Sequence, residues 1–194
     1  MNQIKLEQIK TKVKQVLKPS RYEHTLGVMY IAGALAMRYH EDMYHALFAG
    51  ILHDCAKSFP ESACFSLCNS LRIPMSDVEC KNPGLLHAKL GAVFAKEIYK
   101  IEDEEILNAI TYHTTGRPGM SLLEKIIYIA DYIEPNRNAA PNLPTARALA
   151  FQDLNECLYL ILKDSLEYLR TKNDPIDPMT EQTYLYYKKR LNKS

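Results

Sequence analysis

Apolar residues recur at helical spacing along nearly the whole chain, and no stretch alternates apolar and polar as a half-buried strand would. At the start, Ile4, Leu6, Ile9, Val13, Val16 and Leu17 interleave with lysines as an amphipathic helix that Pro19 ends. Ser20 and Glu23 have the spacing of a capping box, predicting a second helix from about 20 to 38. Further helices are expected over about 42–57, 61–71, 83–99, 103–113 and 121–134, the last opened by Ser121 and Glu124 at the same capping spacing. The segment 135–144, with three prolines, reads as irregular, and two more helices follow at about 151–170 and from Pro178 to about 192. There is no repeat and no dividing linker. The expectation is one all-α domain, a single helical bundle over 1–194, with a core at about 19–140 and C-terminal helices (about 151–192) packed on it.

Ligand-type side chains sit on the apolar faces of these helices. His24 precedes Val28, Ile31 and Leu35 on one face; His87 shares a face with Leu90, Gly91, Phe94 and Ile98; His113 follows Ile106, Ala109 and Ile110. His53 and Asp54 end the apolar run that begins at Leu47, and Asp131 lies in a helix apolar almost all round, the mark of a buried helix. A buried carboxylate without a partner is strongly disfavoured, and a buried imidazole needs partners for both nitrogens. One such histidine is ordinarily a hydrogen-bonded core residue. Six ligand-type side chains facing inward are satisfied together by a shared divalent metal, which is how core sites in helical proteins are built. Neighbours on a helix point about 100° apart, so His53 and Asp54 would flank one metal or Asp54 would bridge two. His40, among charged residues, reads as exposed, and His45 reads as an ordinary packed histidine.

Composition narrows the function further. The 194 residues carry 24 Lys plus Arg against 23 Asp plus Glu, so no bulk charge favours nucleic acid or an anionic membrane, and any phosphate binding must be local. No apolar run approaches the roughly 20 residues of a membrane span. Five cysteines without a CxxC pair read as reduced thiols of a cytoplasmic protein. Nitrogen and oxygen donors without thiolate suit iron(II), manganese, cobalt, nickel or zinc better than magnesium.

In this order (His24, His53-Asp54, His87, His113, Asp131) the residues resemble the pattern of the HD-domain metal-dependent phosphohydrolase superfamily. The segments 20–28, 50–57, 85–92, 112–121 and 124–137 are more closely similar to the bacterial YqeK family of HD proteins, a resemblance that covers about residues 19–190. It implies an HD-domain architecture, symmetrical cleavage of diadenosine tetraphosphate into two ADP, iron as one or two ions, and a homodimer. It carries the superfamily ligands onto His24, His53, Asp54 and Asp131. His87 and His113 match additional family histidines that hold a second metal or contact phosphate. On this reading Asp54, His53, Lys57, His87 and His113 form the catalytic set, with Asp54 holding the metal and orienting water.

A polyphosphate also needs cations. Arg21 lies one turn before His24 and Lys57 one turn after His53, on the ligand faces, while Asn136 and Arg137 follow Asp131. These four, with His87 and His113, are the expected substrate-binding residues. Arg117, in Gly-Arg-Pro-Gly, reads as an exposed turn, and Tyr184, Tyr186 and Tyr187 as helix packing. The competing functions are another HD phosphohydrolase (a nucleotidase, a dNTP triphosphohydrolase or a cyclic-nucleotide phosphodiesterase), a di-iron oxygenase and a non-catalytic nucleotide sensor.

Overall fold

Prolines and short polar side chains set most helix boundaries in the computed structural model, which describes residues 2–172 and 175–191. Among the described residues eleven α-helices run in order: α1 (Asn2–Val16), α2 (Pro19–Tyr39), α3 (Met43–Leu52), α4 (Glu61–Ser70), α5 (Asp77–Lys81), α6 (His87–Glu97), α7 (Glu104–Thr111), α8 (Leu122–Ile133), α9 (Leu143–Leu149), α10 (Leu154–Thr171) and α11 (Pro178–Leu191). A single 3-10 turn, Pro83–Leu86, precedes α6, and no strand occurs among the described residues. Ser121 and Glu124 form the expected capping box at α8, and Asp42, Asp103 and Asp153 cap α3, α7 and α10 through side-chain oxygens.

Several boundaries differ from expectation, each for a local reason. Pro19 opens α2 at its first position, where its missing N–H costs nothing, so Ser20 lies inside the helix and caps nothing. α3 stops at Leu52 rather than 57; turn bonds from Cys55 N to Leu52 O and from Lys57 N to Asp54 O replace the helical ladder. α7 likewise stops at Thr111, leaving His113 in the turn beyond it. Ser76 and Glu79 form a second capping box, which opens the unforeseen short helix α5. Pro144 sits in the first turn of α9, so a helix begins where an irregular segment was expected. The expected end of the last helix at 192 lies outside the described residues.

α2, α3, α7 and α8 form the centre: α2 packs on α3 and α8, and α7 packs on α3, α6 and α8. Their shared core includes Met29, Leu35, Ile51, Ile110, Ile126 and Ile127, all essentially inaccessible. α1 lays Leu6, Ile9 and Val13 on α2 and α3, so this basic amphipathic helix packs on its own domain. α10 covers α8, and α11 covers α10. Cys64, Cys68, Leu86 and Leu90 make a smaller cluster that fixes the segment after α3. Among the described residues no helix is long and apolar enough to cross a membrane.

The closest approach of α2 and α3 is set by Gly50, where an added Cβ would stand 2.7 Å from Met29 Cα and 3.1 Å from Met29 N. Backbone cannot swing aside as a side chain can, so Gly50→Ala must force the two helices apart. It is expected to lower stability by about 1–3 kcal/mol, read from the urea midpoint. A midpoint equal to that of the unaltered protein would contradict this packing.

Candidate metal centre

Four elements bring their ligand-type side chains to one point: α2 gives His24, the turn after α3 gives His53 and Asp54, the start of α6 gives His87, and the turn after α7 gives His113. Asp131, two residues from the end of α8, completes the group. Because His53 and Asp54 occupy successive turns rather than a regular helix, both side chains reach the same space, with His53 Nε2 3.6 Å from Asp54 Oδ2. The pair therefore lies beyond the helix end, not within the helix expected to run to 57.

The histidines are oriented by their outer nitrogens. His53 Nδ1 donates to Gly50 O at 2.7 Å, His87 Nδ1 to Gly84 O at 2.6 Å, and His113 Nδ1 to Ile110 O at 2.7 Å. In each case the acceptor is the carbonyl three residues earlier, one a turn can always present. A carbonyl oxygen only accepts, so these bonds fix the proton on Nδ1 and turn the Nε2 lone pair inward. His24 Nδ1 lies 3.1 Å from Glu134 Oε1, which fixes the same tautomer.

Inside, acceptors face acceptors. His87 Nε2 is 3.2 Å from His113 Nε2 and 3.2 Å from Asp54 Oδ1; His113 Nε2 is 3.7 Å from that same oxygen. His24 Nε2 stands 3.1 Å from Asp131 Oδ1 and 3.9 Å from Asp54 Oδ2. The Nε2 atoms of His24 and His53 are buried without a hydrogen-bond partner. Two sets, His24–His53–Asp131 and His53–Asp54–His113, each hold their ligand atoms within 4.8 Å of one another and share His53. Lone pairs packed this closely repel unless positive charge lies between them, so the donor set fits a divalent cation. Preformed imidazole nitrogens held by carbonyls and a carboxylate are the usual outer support of such a site.

The electrostatics agree with this reading. Burial pushes the His53 imidazole down to about 4 and lowers His87 as well, so both stay neutral donors at ordinary pH. Burial alone would raise the Asp54 carboxyl, yet His53, His113 and His87 hold it well below the usual carboxylate range. Asp131 is held low in the same way, against desolvation, by His24, His53 and Arg137. For His24, burial is outweighed by Asp131 and Glu134, and its imidazole titrates above the ordinary value.

Cations ring the cluster. Arg21 donates to Asp54 Oδ2 at 2.9 Å, and Arg137 donates to Asp131 Oδ1 and to its carbonyl, each at 2.8 Å. Lys57 Nζ is 3.2 Å from His87 Nδ1. That nitrogen already gives its proton to Gly84 at the shorter distance, so it cannot accept from Lys57, whose ammonium protons remain available for a ligand. Asn136, expected to bind substrate, is exposed and reaches the site only by its backbone N–H to Glu134 Oε2 at 2.7 Å. Arg117 is tied to Glu124 at 2.8 Å and lies over the Tyr112 ring. His40 ends α2 in an exposed left-handed conformation, and His45 lies apart from the cluster, 3.8 Å from Asp103.

Glu134 is the residue that sequence reasoning missed. It is buried, it supports His24 with one oxygen and the 134–137 turn with the other, and Gly27 leaves it room: a Cβ there would meet Glu134 Oε2 at 2.5 Å. The signal was present in its spacing, three residues after Asp131 on the same helical face. Arg147 was missed too; it fastens that turn by donating to the carbonyls of Ile133, Glu134 and Arg137.

Replacing an outer-shell partner commonly costs about 10–100-fold in metal affinity. Glu134→Gln is therefore expected to weaken metal retention by about that factor, measured by chelator competition, with the thermal midpoint of the metal-free protein little changed. Unaltered retention would remove Glu134 from the site.

Comparison with known proteins agrees with this geometry. The HD domain family profile matches residues 21–136, the span from Arg21 to the turn after α8. The chain is 45% identical over 172 residues to a Bacillus subtilis protein named symmetrical bis(5'-nucleosyl)-tetraphosphatase, covering 89% of this chain and 91% of that one. A Halalkalibacterium halodurans protein of the same name is 44% identical over the same shares. A crystal structure from Clostridium acetobutylicum, described as an HD superfamily hydrolase involved in NAD metabolism, superposes with a TM-score of 0.91 at 40% identity, covering 95% of this chain and 97% of that one. Matched by that profile over more than half of its length, the chain belongs to the HD domain family.

Proposed function

We propose that this protein is a metal-dependent phosphohydrolase that cleaves diadenosine tetraphosphate symmetrically into two ADP. The observation that carries the proposal is the position of the histidine–aspartate cluster between two cavities, each of which it helps to wall. One cavity, about 550 Å³, runs from His87 past Arg21 and Lys57 to Lys18. The other, about 480 Å³, begins at His113, Asp131 and Arg137. A substrate with a nucleotide at each end of a phosphate chain can lie across the centre with one end in each. The relatives named above carry that activity in their names.

His24, His53, Asp54 and Asp131 would hold the metal, and His87 and His113 a second ion or a phosphate oxygen. Iron is the ion proposed, as the family resemblance implies; the inward nitrogen and oxygen donors suit it as they suit manganese, cobalt, nickel or zinc. Cys55, next in sequence, donates its thiol to Gly91 O, and burial pushes that thiol up, so it offers no thiolate. When bound, such an ion lowers the pKa of water toward neutrality and polarises a phosphoryl oxygen.

The chain's own groups bind and orient. Arg21 and Lys57 present N–H donors to the phosphates on one side of Asp54, and Arg137 does so beside Asp131, with its buried Nε free of any partner. Asp54 touches both sides of the cluster through its two oxygens, His87 and His113 with Oδ1 and Arg21 with Oδ2, and so positions the attack between them. Burial lowers the Lys57 ammonium, which makes it readier than an ordinary lysine to pass a proton to a departing phosphate oxygen. A homodimer, which the family resemblance implies, and a cytoplasmic location, read from the unpaired cysteines, complete the proposal.

Metal-loaded protein incubated with diadenosine tetraphosphate is expected to give ADP alone, resolved by chromatography. AMP with ATP would mean asymmetric cleavage, and no turnover would end the proposal. Arg21→Ala removes a charged phosphate donor worth about 1.5–3 kcal/mol, so kcat/KM is expected to fall by about 10–100-fold. An unchanged kcat/KM would take Arg21 out of the substrate site.

A further inference from the structure

A second group of ligand-type side chains lies at the far ends of two helices that build the metal centre. Glu41 stands in the turn between α2 and α3, His45 in the first turn of α3 and Glu105 in the first turn of α7. Each brings one ligand atom within 4.8 Å of the others, the distance within which the two sets of the buried centre also meet. Asp103 adds an oxygen: its Oδ2 is 3.8 Å from His45 Nε2, too far for a hydrogen bond.

Ordinary roles account for only part of this group. Asp42 and Asp103 are helix caps, Asp42 Oδ1 accepting from the His45 N–H and Asp103 Oδ1 from those of Glu105 and Ile106. Glu41 Oε1 accepts from the Asp42 N–H. A carboxylate at the start of α7 suits the helix dipole, which explains Glu105 but not the imidazole beside it. Among the described residues no Lys or Arg forms an ion pair with Glu41, Asp103 or Glu105. The neighbouring cations are engaged elsewhere: Lys96 lies 3.8 Å from Glu104, and Lys5, on the helix that packs against α3, donates to Lys100 O. Carboxylates gathered around one imidazole repel one another, and a shared cation relieves that repulsion.

We propose that Glu41, His45 and Glu105 form a second metal site, one that takes zinc and joins the start of α3 to the start of α7. One imidazole and two carboxylates without thiolate are a borderline nitrogen and oxygen donor set, and Asp103 Oδ2 stands where it can complete a four-coordinate shell. The site lies at the opposite end of α3 from His53 and of α7 from His113, so it shares no residue with the centre. Its role is structural: α3 and α7 pack on each other, and an ion held by both fixes the pair whose other ends present His53, Asp54 and His113.

Zinc binding to the protein with its metal centre already filled tests this, by equilibrium dialysis with elemental analysis of both metals. The unaltered protein is expected to take up a further zinc ion while keeping the metal of its centre. His45→Gln, Glu41→Gln and Glu105→Gln each remove a donor at the surface while keeping the side chain's size. Each is expected to weaken that zinc by at least the about 10–100-fold that losing an outer support costs. Zinc is also expected to raise the thermal midpoint of the unaltered protein and not that of the variants. Zinc that only replaces the metal of the centre overturns the proposal. So does a further zinc that His45→Gln holds as tightly as the unaltered protein. Neither outcome depends on turnover, so failure of the hydrolase reading leaves this test standing.

Discussion

Four imidazoles give away their outer protons so that their inner lone pairs can converge, and the rest of the molecule is arranged around that constraint. Three of the outer bonds go to carbonyls three residues back and the fourth to Glu134. None can rotate to relieve the crowding of Nε2 atoms and carboxylate oxygens at 3.1–3.9 Å. The convergence is tolerable only with positive charge at its centre, and Arg21 and Arg137 supply part of that from its edges. The fold therefore holds a cost in reserve that a divalent cation removes, which is why the site is coupled to stability as well as to chemistry.

Rigid helices position the site, but the ligand-type side chains themselves lie largely at helix ends. His53, Asp54 and His113 stand in turns just past α3 and α7, His87 opens α6, and Asp131 is near the end of α8. A helix end leaves carbonyls without intrahelical partners, and those of Gly50 and Ile110 are used to orient the histidines. The same ends let side chains fan toward a common point that positions within a regular helix could not share. Behind them, the packing of Gly50 on Met29 and of Gly27 beside Glu134 sets how near α2, α3 and the turn after α8 can come.

Much of this was legible in the sequence, and the failures have physical causes. The all-helical class followed from apolar spacing, and the six side chains that cluster were marked out as polar groups on apolar faces. The end of α3 was not legible, because Ala-Lys at 56–57 suits a helix and only the tertiary need of the His-Asp pair breaks it there. α9 was hidden by the prolines of 135–144, one of which occupies the first turn where proline is at home. Asn136 was placed in the site by proximity to Asp131, but the turn sends its side chain to solvent. Glu134 was not singled out, because its three-residue spacing from Asp131 does not say what it faces. Its burial depends on His24, 110 residues away.

The central claim is that these donors share a cation. An anomalous difference map from crystals of the protein as purified, collected across the metal absorption edges, tests it most directly. The account predicts a peak about 2 Å from His53 Nε2, with Asp54 and Asp131 oxygens at similar distance. A map with no peak, and with the inward nitrogens of His24 and His53 hydrogen-bonded to water, would contradict it.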